Sequence, residues 1–323
     1  MSYTMCSRIT FPKTDKRGKL VLHMVSSCTV TSSWKQLTDT AEIIIPRKIR
    51  TFEGKKLQEI FSPGDPVIIE LGYNGDYNEE FSGYVLSISR GVPVVVKCED
   101  EMYHVKRKTV SYSKKSVNLG GMLKDLLPEY KIETAYSDTD LGAVRYSGMR
   151  ISAILEDIQK KTGLYSFFRG KVLHVGNAWS QKVPERVKIH LERNAVSQDL
   201  QQSSGDYEVT AIALLKGGKK MEAKAGTKGA ESFRITLDSK NDKITSEVLK
   251  KTAERILENL KKQQYKGGVE IFGIPVVKHG MEIDLESEIT PEMNGIYIVE
   301  KVEKTFSDNA TYRQKVDLGG RVS

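Results

Sequence analysis

The stretch VEIFGIPVVKHGMEID, residues Val269–Asp284, sets a glycine-centred turn directly before alternating apolar residues. Far upstream, Phe61–Gly75 reads FSPGDPVIIELGYNG and does the same. The two stretches also continue alike. PGDPVIIEL leads to FSGYVLSISRGVPVVVKCE, and HGMEIDLES leads to MNGIYIVEKVEKTFSDNATYRQKVDL. Each copy has a Gly turn, an alternating strand, a polar connector and a strand opening on glycine and an aromatic residue, with a long antiparallel pair after it. The spacings are 216 residues from Gly64 to Gly280 and 212 from Gly83 to Gly295. Recurrence of this kind predicts two related β domains within one chain. The competing reading is that any two hairpins with glycine turns look alike.

Working outward, the first third is strand-like. Lys19–Val25, Ala41–Ile45, Pro66–Leu71, Tyr84–Ser89 and Val92–Cys98 are rich in Val and Ile and punctuated by Gly, Pro, Asn and Asp. Glu70–Gly83 reads as a polar connector between two of them. Short strands separated by turn signals predict an antiparallel barrel or sandwich. The period then changes. Leu119, Met122, Leu123, Leu126 and Leu127 share one helical face, with Ser116 as expected N-cap and Pro128 as stop. A second helix is expected over about Ser152–Thr162, closed by Gly163 as a left-handed cap. LYSFFRGKVLHVGN follows as an aromatic hairpin turning at Arg169-Gly170. Strands resume at Val187–Leu191 and Tyr207–Leu215. Lys216–Gly229 reads as a flexible, basic, glycine-rich loop, and Asp242–Gly268 holds the longest helix, with Ser246 able to cap it. Strands close the chain at Val269–Ile274, Met281–Leu285, Gly295–Val302 and Thr311–Leu318.

The expected fold class is therefore β-rich α+β, with two antiparallel β-barrels and small α/β modules. Residues 1–108 make the first barrel and 109–180 an α/β module of two helices and a hairpin. Residues 181–323 make the second barrel, with a helical insertion at about 240–268. The positions singled out are structural turns: Gly64, Asp65, Gly83, Gly163, Gly170, Gly280 and Gly295.

The composition narrows the function. No window approaches a membrane span, and the N-terminal residues contain no apolar signal-peptide core, so synthesis in a bacterial cytoplasm is expected. Three cysteines, Cys6, Cys28 and Cys98, match neither a disulfide framework nor a metal site. The 50 basic and 42 acidic residues give a net charge of +8, which permits contact with a polyanion without requiring it. Lys97–Lys108 mixes both signs and reads as a solvated strand end. The five histidines, His23, His104, His174, His190 and His279, are isolated, so no metal ligand set is expected. GxSxG, Walker and Rossmann motifs are absent. Adjacent acids such as Glu79-Glu80 and Glu99-Asp100-Glu101 point to opposite faces of a strand and read as solvated edges. No catalytic residue, cofactor or metal is expected. Five lysines in Lys216–Lys228 leave a DNA- or polyanion-contacting module as one alternative, and a tail or cell-wall hydrolase as a weaker one.

Taken in order, FSPGDPVIIELGYNG with FSGYVLSISR, VNLGGMLKDLLPEYKI, SAILEDIQKKTGLYSFFRGKVLHVGN, and AERILENLKKQQYKGGVEIFGIPVVKHGMEIDL with NGIYIVEKVEKTFS resemble one family. It is that of the baseplate hub proteins of contractile phage tails, the late control protein D family, similar also to the hub part of type VI secretion spike proteins. No single stretch is diagnostic; their order is, over roughly residues 15–320. The resemblance implies two tube-type barrels and a homotrimer acting as symmetry adaptor between a hexameric tail tube and a trimeric spike. It also implies a place in a virion tail or injection-system baseplate. The partners implied are tail tube protein, spike protein and other baseplate proteins, with transient contact to DNA in the lumen. A pseudo-repeat within each chain doubles the apparent symmetry of a closed ring without new interfaces.

Overall fold

The computed structural model describes residues 3–46, 60–89, 91, 93–176, 185–202, 205–214, 220–238, 245–261 and 265–322. The first half carries β1 (Met5–Phe11), β2 (Leu20–Leu22), β3 (Ser27–Ser33), β4 (Thr40–Ile45), β5 (Pro66–Tyr73), β6 (Asp76–Ile88) and β7 (Val94–Glu99). A middle stretch holds α1 (Met102–Val105), β8 (Thr109–Lys114), α2 (Leu119–Leu126), β9 (Lys131–Glu133), β10 (Val144–Arg150), α3 (Ile151–Thr162), β11 (Tyr165–Arg169) and β12 (Val172–Gly176). Next come β13 (Arg186–His190), β14 (Ala195–Gln198), β15 (Gln201–Gln202), β16 (Tyr207–Leu214), β17 (Lys220–Gly226), β18 (Glu231–Asp238) and α4 (Ser246–Lys261). β19 (Tyr265–Lys266), β20 (Gly268–Phe272), β21 (Glu282–Glu286), β22 (Gly295–Ser307) and β23 (Thr311–Arg321) complete a β-rich α+β chain.

The main sheet has thirteen strands, and its order repeats. One side runs β1-β5-β6-β7-β4-β3 and the other β13-β21-β22-β23-β20-β14. Taken in chain order, the strands of the two sets correspond one to one. The correspondence fails once: β1 is antiparallel to β5, whereas β13 is parallel to β21. The sequence reading pictured two closed barrels. Among the described residues the pairings close neither half. Instead β22 pairs with β3 and fuses both halves into one sheet.

Alternation sets which residues enter the core. In β5, Val67, Ile69 and Leu71 are buried, while Glu70 points outward to an ion pair with Arg8 on β1. The first core gathers Ile9, Phe11, Ile43, Ile69 and Val96, and it also takes Phe306 and Tyr312 from the last hairpin. Two buried aromatic side chains contribute about 3–6 kcal/mol together, so the first core is incomplete without the end of the chain. A second core gathers Ile189, Ile271, Ile283, Val299 and Val316. A third, around α2 and α3, includes Leu119, Leu123, Ile154, Ile158, Phe168 and Leu173.

Several local expectations change. Asn118, not Ser116, caps α2, accepting from the Gly121 N–H at 2.8 Å. The two glycines of this helix have a packing reason. A Cβ at Gly120 would lie 3.0 Å from Ser137, and one at Gly121 2.8 Å from Asn118 Oδ1. Glu70–Gly83 is not a connector. Asn74 and Gly75, both at positive φ, make a two-residue turn between paired Tyr73 and Asp76, and β6 begins at once. Within the basic stretch, residues 216–219 lie outside the described ones. Lys220–Gly226 is a strand, not a loop, because Met221, Ala223 and Ala225 alternate inward against α4. The expected helical insertion is larger than a helix: strands β17-β16-β18 form a sheet that carries α4 on one face.

Candidate assembly surface

The two matched sets share more than their strand order. Gly64, at φ +91°, donates its N–H to Val85 O at 2.8 Å, and Val85 N–H donates to Asp65 O at 2.9 Å. Gly280, at φ +79°, donates to Val299 O at 2.8 Å, and Val299 N–H donates to Met281 O at 2.8 Å. Both turns close with the same contact two residues earlier, Asp65 N–H to Ser62 O and Met281 N–H to Lys278 O. Directly beyond Val85 and Val299, both long strands carry a one-residue bulge, at Leu86 and at Glu300. A bulge bends a strand and changes its neighbour. Before its bulge, β22 lies against β21; after it, Lys301–Ser307 lie against Ser33–Ser27 of β3. The joint is fastened by the Ser33 hydroxyl donating to Glu300 O at 3.0 Å and by the Lys35–Glu300 ion pair.

The equivalent half-joints are open in this chain. The segment of β6 past its bulge has β7 on one side and no ladder partner on the other among the described residues. β14, the counterpart of β3, pairs with β20 on one side only. Val196, Ser197 and Gln198 of β14 are exposed.

Two buried polar groups hold the halves together. The Lys304 ammonium on β22 meets Glu80 on β6, with their side chains 4% and 0% exposed, and the Tyr312 hydroxyl donates to Glu80 at 3.0 Å. Burial pulls the Lys304 pKa down. The second group lies where both halves meet the aromatic hairpin. Asp39 and Asp100 exchange backbone contacts: Asp39 N–H donates to the Asp100 carboxylate and Asp100 N–H to Asp39 O, both at 3.1 Å. Asp100 also accepts from Met102 N–H at 3.0 Å, and Asp39 from Ser33 N–H at 3.0 Å. Asp39 lies 3.8 Å from His279 Nε2, and Arg169 donates to His279 O at 2.7 Å. Burial pushes the Asp100 carboxyl up to about 7. Burial first, and then the neighbouring Asp100, hold Asp39 well above the usual carboxylate range. Burial, with the Arg169 charge beside it, pushes His279 down to about 3.

The glycines named from the sequence do not converge on one site. Gly64 and Gly280 occupy matching turns, and the Asp65 carboxylate accepts from Ser62 N–H and meets Arg17. Gly83 and Gly295 are not counterparts. Val85 matches Val299 in the bond pattern, so Tyr297 stands where Gly83 does. Gly83 is needed because a Cβ there would lie 2.2 Å from Glu99 O. Gly295 faces the Arg321 guanidinium, 2.6 Å from an added Cβ. Gly163 caps α3 at φ +71°, donating to Gln159 O at 2.7 Å, and Gly170 is the first of two turn residues, one position later than read. Lys97–Lys108 is not a solvated strand end, since Glu99 and Asp100 are buried and α1 follows. Glu80 is likewise no solvated edge. Among the described residues no group of three or more His, Cys, Asp or Glu is placed to hold a metal ion, and no helix is long and apolar enough to cross a membrane.

No protein-family model matches the chain, and no curated protein matches it. Solved structures do. The tail protein from Neisseria meningitidis MC58 superimposes with a TM-score of 0.70 at 14% identity, over 98% of this chain and 97% of that one. The 43 kDa tail protein of prophage MuSo2 from Shewanella oneidensis gives 0.69 at 13% identity, over 97% and 98%. An Escherichia coli component of the type VI secretion system, described as structurally similar to bacteriophage T4 tail proteins, gives 0.61 at 9%, over 93% and 76%. The chain has the fold shared by these phage tail proteins and this type VI component.

Proposed function

We propose that the chain is the central hub of a contractile tail or injection-system baseplate, a homotrimer joining a sixfold tube to a threefold spike. The observation that carries the reading is the intrachain joint between β3 and β22, together with its open equivalent. Two sets of strands share one order, and one contact between them is satisfied inside the chain. The same contact in the other direction, β14 against the post-bulge end of β6, needs a neighbouring chain. A head-to-tail contact of this type forms a closed ring when its rotation divides a full turn. The path from β14 to β6 contains eight strands, so three chains would line the ring with ~24 strands and six similar units. Each half then contributes its strands to the ring rather than closing on itself. The role is mechanical, with tube, spike and other baseplate proteins as partners and a virion tail or injection device as location.

Light scattering tests this. A mass near three times 36.3 kDa is expected. Val196 is 44% exposed and is skipped by the β14–β20 ladder, so Val196→Pro spares the chain's own pairing and should blunt the free edge. The variant is expected to fold as a monomer. A wild-type chain that stays monomeric at every concentration, or a Val196→Pro chain that still trimerises, overturns the proposal.

A further inference from the structure

A groove of about 600 Å³ opens between the end of α3, the strand β18 and the helix α4. That size lies within the range of ligand-binding clefts. One wall is rigid: Trp34, 7% exposed, meets Tyr165 edge to face at 5.1 Å. Another is apolar, with Ile235, Ile256, Leu260 and Phe233, the last 44% exposed.

The charges around the groove divide into two groups. Lys35, Lys161 and Lys266 are neutralised by Glu300, Asp157 and Glu231. Lys160, Arg234 and Arg255 are exposed and have no carboxylate partner among the described residues. They come from three different elements, α3, β18 and α4, and all border the one groove. Three unneutralised cations at the border of a groove with an apolar wall complement a ligand that is both anionic and apolar. A nucleic-acid strand fits less well. It needs a continuous basic track with faces for stacking, and here carboxylates of this chain interrupt the track.

We propose that this groove binds an acidic segment of a partner protein, one carrying apolar side chains between its carboxylates. The proposal does not depend on trimerisation, and its test reads a different quantity. The probe is a short fluorescein-labelled peptide alternating Asp and Leu, titrated with the full chain and followed by anisotropy. Saturable binding that weakens with added salt is expected. The double variant R234E/R255E, both changes at exposed positions, should bind about tenfold more weakly or worse, with an unchanged circular dichroism spectrum. K160E, on a different element, should weaken binding in the same direction. The proposal is overturned if the peptide shows no saturable binding or if R234E/R255E binds it like wild type. It is equally overturned if labelled oligothymidylate binds as tightly, which marks a nucleic-acid surface. A change of mass in R234E/R255E with peptide binding intact marks instead a contact between copies of this chain, and also overturns it.

Discussion

Lys304→Met isolates the buried pair that ties β22 to β6. The substitution keeps the length of the side chain and its apolar contacts but removes the ammonium. Glu80, whose side chain is fully covered, keeps only the Tyr312 hydroxyl as a described partner. Removing one member of a buried ion pair costs about 3–5 kcal/mol, chiefly because the remaining charge stays buried and uncompensated. The expected loss is of that size, read from equilibrium urea unfolding followed by circular dichroism. Adding Glu80→Gln removes the stranded charge and still leaves an acceptor for the Tyr312 hydroxyl. The double variant should therefore recover to within about 1–2 kcal/mol of wild type, about 2–3 kcal/mol more stable than Lys304→Met alone. A Lys304→Met loss below about 1 kcal/mol would refute the reasoning. So would a double variant that loses the sum of the two single changes, since the pair would then not act as a unit.

Asp100 gives a pH dependence with a definite sign. Its folded pKa is raised to about 7, so the folded state holds a proton that the unfolded chain releases near the usual carboxylate value. The stability it contributes is fully present below about 4 and is lost as pH rises to about 7. Asp100→Asn cannot ionise, so its stability relative to wild type should climb over that interval, on the order of 2–4 kcal/mol, and level off above it. A relative stability that stays flat from acid to neutral pH would count against a buried, protonated Asp100. Two glycines separate collision from backbone strain. Gly83→Ala drives a Cβ into the Glu99 carbonyl and should cost about 3 kcal/mol or more. Gly170→Ala meets nothing within 4 Å and bears only the left-handed backbone at φ +56°, about 1 kcal/mol. Equal losses in thermal unfolding would contradict that distinction.

What could be read from the sequence was whatever signals locally. The strands β5 and β21, the helix α3 and the hairpin β11–β12 all announce themselves through apolar periodicity ending at glycine turns. The strands that join the repeats do not. β3 reads SCTVTSS and β14 AVSQ. β3 buries only the small Cys28 and Val30 between hydroxyl residues, β14 has no apolar alternation, and the pairing of β3 that matters at the seam is with β22, far along the chain. The polar run DYNEEF became strand because Asn74 and Gly75 make the tight turn before it, a two-residue signal set among polar residues. The junction of Asp39, Asp100, Arg169 and His279 carried no signature at all. Its members are scattered over the chain, and only the meeting of the β3–β4 turn, the β7–α1 junction, β11 and the loop before β21 brings them together. The glycine spacing misaligned Gly83 with Gly295 because the repeats differ in length between turn and bulge, and only the backbone hydrogen bonds show which residues correspond.

The seam between β3 and β22 also has a consequence for biosynthesis. β3 emerges from the ribosome early and must wait for Lys301–Ser307, nearly the whole chain later, before its outer edge is paired. An unpaired strand edge on a nascent chain invites the wrong partner, another copy included. Five of the seven residues of β3, Ser27, Thr29, Thr31, Ser32 and Ser33, bear a hydroxyl, and all but Ser33 are partly exposed. Such an edge can stay hydrated while translation continues, and the last hairpin supplies both the missing side chains of the first core and the partner strand of the seam.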